Sequence, residues 1–155
     1  TARHVGVEIV KNLLVDAKTT SRWYFVIAMG RKAGHLALGM GKAAGATVTL
    51  ITEEFQKRPL RLKTLVDTLV GSIIKRMNDG RRDGVAVIAE GVVLDLDPQD
   101  LEGLAETERD DHGHLRIAEV NIGEILKHAV ELRLKDWKEV YEPFPVESLR
   151  TQAAR

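Results

Sequence analysis

One stretch of the sequence decides the fold: residues 23–34 read WYFVIAMGRKAG. The first six of these residues form an unbroken apolar and aromatic run, which is typical of a strand buried on both faces of a sheet. Met29 and Gly30 end the run. The small residues at 35–45 that follow are poor formers of an isolated helix, but they suit a helix packed closely against a sheet. We therefore predict a strand, a tight turn and a helix.

Further helices and strands alternate on both sides of this stretch. Apolar residues at helical spacing predict a helix from Thr1 to about Lys18 and another over 62–77. Short apolar runs predict two more strands, at 48–51 and 85–89. This alternation with short connections is typical of an α/β fold, in which helices cover both faces of a mainly parallel sheet in three αβα layers.

The last third of the chain is less regular. An acidic residue followed by proline, Asp97-Pro98, predicts the start of a short helix, and one more amphipathic helix is predicted after it. We expect residues 1–140 to form one unit, in which 95–117 are an insert. We expect residues 141–155 to form a loosely ordered tail.

The composition excludes several classes of protein. The 155 residues are 44% hydrophobic, which suffices for one core, and their formal net charge is zero. A neutral chain is not built to coat nucleic acid or an anionic membrane, so we expect neither partner. There is no cysteine, which excludes disulfides, thiolate nucleophiles and Cys-ligated metals. No apolar run reaches the roughly 20 residues of a membrane span, and we expect a cytoplasmic protein.

The charges are nevertheless unevenly distributed. Residues 1–77 contain 13 Lys and Arg against 5 Asp and Glu, whereas residues 78–155 contain 10 against 18. An anionic substrate is therefore expected at the first half.

Candidate binding residues follow the predicted strands, where ligands of parallel α/β sheets bind. Gly30 lets backbone amides approach a ligand, the next helix N-terminus favours an anion, and Arg31 can hold a phosphate with two parallel hydrogen bonds. Glu90 ends an apolar strand and can accept hydrogen bonds from ligand hydroxyls. The structural alternatives are a tight turn at Gly30, a solvated Arg31 and a capping or ion-paired Glu90.

Three other motifs favour structural roles. Residues 39–44 match the loose dinucleotide fingerprint, but its glycines must follow a strand and open a helix. The basic residues at 57–63 lack interleaved aromatics, which favours a solvated face over nucleic-acid binding. Residues 110–114 hold two His and two Asp without a third well-placed ligand group, which favours a surface turn over a metal site. A dinucleotide-dependent oxidoreductase and a structural or regulatory module remain alternatives.

Three segments resemble the 6-phosphofructokinase family: residues 19–38, 50–55 and 83–91. The resemblance runs from residue 1 to about residue 135 and is closer to the pyrophosphate-type and related long-form enzymes. It implies a glycolytic kinase that transfers a phosphoryl group from ATP or pyrophosphate to fructose 6-phosphate, giving fructose 1,6-bisphosphate. It also implies Mg²⁺ as cofactor and a homo-oligomer, either a dimer or a tetramer.

The resemblance implies roles for five residues. Met29, Gly30 and Arg31 match the sugar-phosphate site, and Arg31 also matches a group near the transferred phosphoryl. Glu90 matches the glutamate that holds the sugar hydroxyls. Arg22 matches an arginine that reaches the substrate phosphate across a subunit interface. Glu53 lies in a family motif that we tie to no substrate contact, and no metal ligand is expected in this chain.

The chain also departs from the family pattern. The donor loop and the segment with the catalytic aspartate base would lie before Thr1, and a later substrate segment should follow residue 135. Thr52 stands where the family usually has proline. We therefore expect a piece of a longer phosphofructokinase that carries part of the acceptor site. By itself it should bind sugar phosphate weakly and show no appreciable kinase activity.

Overall fold

The computed structural model of the chain describes residues 1–30, 34–102 and 122–140, with side chains up to residue 135. The helices and strands in these residues are α1 (Ala2–Thr20), β1 (Trp23–Ala28), α2 (His35–Ala44), β2 (Val48–Leu50), α3 (Leu62–Asn78), β3 (Gly84–Ala89), α4 (Pro98–Leu101) and α5 (Ile122–Val140). A 3₁₀ turn follows β2 at Thr52–Glu54, and another follows β3 at Glu90–Asp95.

The three strands form a parallel sheet in the order β1-β3-β2. Ala28 of β1 lies opposite Ala89 of β3, and Leu50 of β2 lies opposite Ile88. Every residue of β3 is buried, because strands flank it on both sides and helices contact it. Since the strands are parallel and in this register, their carboxyl ends meet at one edge of the sheet. We call it the carboxyl edge; it is the end of the sheet at which the strands end, and not a side of the sheet formed by an edge strand.

The prediction that residues 23–28 are buried on both faces is wrong for most of β1. Only Ala28 is buried, and the five residues before it are half-buried. In the described part of the chain β1 is an edge strand, so one of its sides has no neighbouring strand. The strand that is buried throughout is β3.

The helices form two layers on the sheet. α1 and α2 contact each other and β3, while α3 and α5 contact each other and the sheet. Their largest fully buried side chains include Val10 of α1, Leu65 and Leu69 of α3 and Leu126 of α5. This confirms the α/β fold with helices on a parallel sheet.

Close packing of α2 on β2 explains the small residues of that helix. A Cβ atom at Gly41 would lie 2.0 Å from the hydroxyl oxygen of Thr49, so no larger residue fits there without a shift. Residues 39–44 form the second half of α2 and precede a strand. The strand-then-helix context of a dinucleotide fingerprint is therefore absent, and the oxidoreductase alternative loses its basis.

The described part of the predicted insert begins with a capped helix. Asp97 Oδ1 accepts a hydrogen bond from the Gln99 N–H at 3.0 Å, and Pro98 is the first residue of α4. This confirms the helix start predicted from the Asp-Pro pair. Residues 103–117 of the insert and the tail at 141–155 lie outside the described residues.

The basic segment at 57–63 forms ion pairs with a carboxylate of α4 and with one that precedes it. The Arg61 guanidinium makes two hydrogen bonds with Asp100, at 2.8 and 2.6 Å. Arg58 forms an ion pair with Asp95. These pairs offset the positive charge of the segment, which supports a surface role over nucleic-acid binding.

Candidate functional site

The carboxyl edge brings together three of the predicted site residues. Met29 and Gly30 follow Ala28 directly, and Glu90 follows Ala89 directly. Ala28 and Ala89 are paired across β1 and β3, so their backbones lie about 5 Å apart, and Met29 and Glu90 each follow one residue of this pair. Residues that are distant in sequence thus become neighbours.

These three residues present different chemistry at this edge. The Met29 side chain is 77% exposed, Gly30 is half-buried, and Glu90 is half-buried as the first residue of its 3₁₀ turn. Gly30 leaves the backbone open to a ligand, and Glu90 supplies a carboxylate. The combination suits a polar ligand with hydroxyl groups.

Arg31 lies outside the described residues, together with Lys32 and Ala33. Its sequence position places it between Gly30 and Gly34, which are both described. The assignment of Arg31 to a phosphate therefore stays a prediction.

Arg22 lies at the opposite end of the strands from the carboxyl edge, because it directly precedes β1. Its carbonyl accepts a hydrogen bond from the Gly84 N–H at 3.1 Å, and its side chain lines a groove of about 720 Å³ between β1 and α5. The six residues of β1, about 20 Å of extended chain, separate Arg22 from Met29. The two residues do not share a site within one chain.

Glu53 also lies at the carboxyl edge, in the 3₁₀ turn after β2. Its Oε1 accepts a hydrogen bond from the Gly34 N–H at 2.8 Å, and its Oε2 accepts one from the Thr52 hydroxyl at 3.3 Å. The bond from Gly34 is the main cause that lowers the pKa of Glu53. Sequence reasoning tied Glu53 to no ligand; the available signal was its position directly after a strand.

This contact changes the expectation for the N-terminus of α2. We expected its amides to favour a bound anion, but the Gly34 amide already donates to Glu53. The Glu53 carboxylate therefore occupies the amide of the N-cap residue, and the expectation of an anion at the other first amides of α2 stays a prediction. The contact arises from the tertiary structure, because β2 ends beside the start of α2 and the Glu53 carboxylate in the following turn lies next to Gly34.

A second cavity, of about 870 Å³, lies at the opposite edge of the sheet and is lined in part by Lys18, Arg76, Arg81 and Asp83. Both arginines are paired with the Asp83 carboxylate, at 3.1 and 3.0 Å. The single Asp83 carboxylate offsets one of the three positive charges in this lining, so the cavity remains basic.

The magnesium ion implied by the resemblance finds no match in the described residues. No three His, Asp or Glu side chains come together there as a metal site, and residues 110–114 lie outside them. Within the same residues, no helix is long and apolar enough to cross a membrane.

Comparison with known proteins settles the family. The sequence profile described as Phosphofructokinase matches residues 1–136. The chain belongs to the phosphofructokinase family. The resemblance seen in the sequence is thereby confirmed.

Curated relatives agree with this family. The chain is 55% identical over 135 residues to the pyrophosphate–fructose 6-phosphate 1-phosphotransferase of Thermotoga maritima, covering 86% of this chain and 32% of the relative. It is 38% identical over 143 residues to the enzyme of that name from Naegleria fowleri, covering 86% of this chain and 33% of the relative. The chain thus spans about a third of the length of these phosphofructokinase relatives.

A solved structure supports the same fold. The phosphofructokinase from Saccharomyces cerevisiae superimposes with a TM-score of 0.58 at 26% identity, covering 83% of this chain and 14% of that one. The α/β fold of this chain is therefore that of a phosphofructokinase.

Proposed function

We propose that this chain is the fructose 6-phosphate-binding part of a phosphofructokinase. The observation that carries the proposal is the meeting of Met29, Gly30 and Glu90 at the carboxyl edge, where ligands of such sheets bind. Met29 and Gly30, with Arg31, receive the sugar phosphate. Glu90 accepts hydrogen bonds from the sugar hydroxyls.

The reaction of the longer enzyme is phosphoryl transfer. The 1-hydroxyl oxygen of fructose 6-phosphate attacks the terminal phosphorus of the donor and forms the new P–O bond. The bridging P–O bond breaks, orthophosphate leaves when the donor is pyrophosphate (ADP when it is ATP), and the hydroxyl proton passes to a base. Such transfer depends on positioning the reactants and on offsetting charge on the phosphoryl oxygens. Arg31 would contribute the second of these. No residue of this chain is proposed as that base.

Pyrophosphate is the donor that we propose, with ATP as the alternative. The support is the name that the relatives from Thermotoga maritima and Naegleria fowleri share. Mg²⁺ would accompany the donor phosphates, as the resemblance implies.

The whole enzyme is proposed to be a homo-oligomer, a dimer or a tetramer. Arg22 supports this, because it lies at the sheet edge opposite Met29. The resemblance matches Arg22 to an arginine that reaches the phosphate across a subunit interface, and a position away from Met29 agrees with that role. We further propose that residues 1–140 form the substrate-binding unit, with 95–117 as its insert and 141–155 as a tail.

Calorimetric titration of the 155-residue chain with fructose 6-phosphate tests this function. We expect weak binding that Arg31→Ala reduces by at least about tenfold, since a charge-assisted hydrogen-bond pair is lost. Glu90→Gln should also weaken binding. Arg82→Ala is the matched control, because Arg82 is exposed and precedes β3 at the opposite edge.

Three results would contradict the proposal or the expectations that belong to it. Equal affinity of the wild type and Arg31→Ala would refute the site assignment. No binding, together with no thermal stabilisation by the sugar phosphate, would favour the alternative of a structural or regulatory module. Turnover by the repurified 155-residue chain would refute the expectation that it is inactive alone.

A further inference from the structure

The Glu53 carboxylate links the end of β2 to the start of α2. Its Oε1 accepts the Gly34 N–H at 2.8 Å, although the two residues are 19 positions apart. Gly34 is the N-cap residue of α2, and it ends the connection that begins with Met29 and Gly30 after β1. Glu53 therefore holds the far end of the connection whose near end we assign to the sugar phosphate.

Gly34 is held through both of its backbone polar groups. Its N–H donates to Glu53, and its carbonyl accepts from the Leu38 N–H at 2.9 Å. A Cβ atom at this position would lie 2.4 Å from Glu53 Oε2 and 2.6 Å from Ile51 Cβ. Only glycine allows the carboxylate to approach this closely.

The Glu53 side chain is itself oriented by its neighbours. The Thr52 hydroxyl donates to Oε2 at 3.3 Å, and Thr52 is buried. The Thr52 carbonyl in turn accepts from Arg58 Nη2 at 3.2 Å. The lowered pKa of Glu53, caused first by the Gly34 amide, agrees with a carboxylate that is charged in this contact.

We propose that Glu53 is a positioning residue for sugar-phosphate binding, acting through the Gly34 amide. The proposal rests on the proposed function. β1 fixes the near end of the connection, because Ala28 is paired with Ala89, and Glu53 fixes the far end. A site that binds through backbone groups needs such support, since loosely held groups lose affinity when they must be ordered on binding.

The sign of the mutational effect separates positioning from simple electrostatics. A carboxylate near a phosphate repels it, so removal of the Glu53 charge alone would tighten binding. Loss of a positioning contact would instead weaken binding. The neighbouring Glu54 is an exposed acid in the same turn, and its removal changes the local charge without touching the Gly34 contact.

Fructose 6-phosphate affinity of Glu53→Ala, Glu53→Gln and the control Glu54→Gln, measured by calorimetry on the 155-residue chain, tests the proposal. Glu53→Ala should weaken binding, because the Gly34 N–H loses the acceptor that holds it before the ligand binds. Glu53→Gln keeps an acceptor oxygen and should lie between the wild type and Glu53→Ala. Glu54→Gln should bind at least as tightly as the wild type.

An acid titration followed by NMR provides a second readout that needs no ligand. The Gly34 amide shift should follow the ionisation of Glu53, with a midpoint below the ordinary glutamate pKa, and this response should vanish in Glu53→Gln. This comparison uses Glu53→Gln, which keeps an acceptor oxygen, so it does not depend on the folding of Glu53→Ala.

The outcomes are distinguishable. Wild-type binding with unchanged or tighter binding in the folded Glu53 variants overturns this inference and leaves the proposed function intact. If the Gly34 amide shift does not follow the ionisation of Glu53, the positioning role is overturned as well. If the wild type binds no fructose 6-phosphate at all, the proposed function fails, and the positioning role fails with it.

Discussion

Replacing Asp83 by asparagine should lower the free energy of unfolding by about 2 kcal/mol at pH 7. Asp83 lies between the end of α3 and the start of β3, and its side chain is only 10% exposed. Asparagine has nearly the same shape but removes the charge. The substitution therefore tests the ion pairs at this junction and leaves its packing unchanged.

The magnitude follows from the exposure of the two partners. Arg76 Nη2 lies 3.1 Å from Asp83 Oδ2 with its side chain 20% exposed, and Arg81 Nη2 lies 3.0 Å from the same oxygen with its side chain 46% exposed. A hydrogen bond to a buried charged group contributes about 1.5–3 kcal/mol. Solvent screens the more exposed Arg81 pair, which adds at most about 1 kcal/mol. Arg76→Ala should therefore destabilise more than Arg81→Ala.

The loss of unfolding free energy caused by Asp83→Asn should become smaller as the pH falls. Burial opposes the ionisation of Asp83, but hydrogen bonds from Arg81 and Arg76 outweigh it and lower the pKa of Asp83 below its usual value. A carboxylate with a depressed pKa stabilises the fold fully above its unfolded pKa, and that stability is lost as the pH falls through the folded pKa. The gap between the wild type and Asp83→Asn should thus shrink in acid.

Urea unfolding at pH 7 and at pH 2.5 measures both quantities. Asp79→Asn is the matched control, because Asp79 is exposed in the same junction and should cost less than about 0.5 kcal/mol. An Asp83→Asn penalty equal to that of the control would refute the reasoning. So would a penalty that stays constant between the two pH values.

Three further predictions concern packing and capping. Leu69→Ala removes a side chain with 0% exposure and should cost about 3 kcal/mol in urea unfolding; a loss below about 1 kcal/mol would contradict the core assignment. Gly84→Ala places a Cβ 2.6 Å from the Trp23 ring, so a lower urea midpoint and altered near-UV circular dichroism are expected, and an unchanged spectrum would argue against the contact. Asp100→Asn weakens the 2.8 Å bond from the Leu62 N–H and should cost about 1 kcal/mol, read as a lower melting temperature; an unchanged melting temperature would show that this cap is not needed.

The helices and strands followed from patterns within short stretches. The apolar spacing from residue 62 predicted the helix found at Leu62–Asn78, and the run at 85–89 predicted the strand at Gly84–Ala89. These patterns are informative because burial on one helix face, or between two helical layers, selects residue types at regular spacing. The positions of Met29 and Glu90 directly after predicted strands followed as well, whereas the pairing of those two strands did not.

Other features depended on residues far apart in the chain. The partial exposure of β1 depends on the strand order β1-β3-β2, which the composition of residues 23–28 does not encode. The occupation of the Gly34 amide by Glu53 likewise requires β2 to end beside α2. No local pattern in either segment predicts that contact.

The sequence alone thus determined the α/β class, the family and the candidate binding residues, because periodicity and motif are properties of neighbouring positions. Only the tertiary structure decided which of them share a site: Met29, Gly30 and Glu90 meet at one edge, and Arg22 lies at the other. It also decided that Glu53 accepts the N–H of Gly34, the N-cap residue of α2. The physical reason is that proximity across a sheet is set by strand order and register, which arise from the packing of the whole chain.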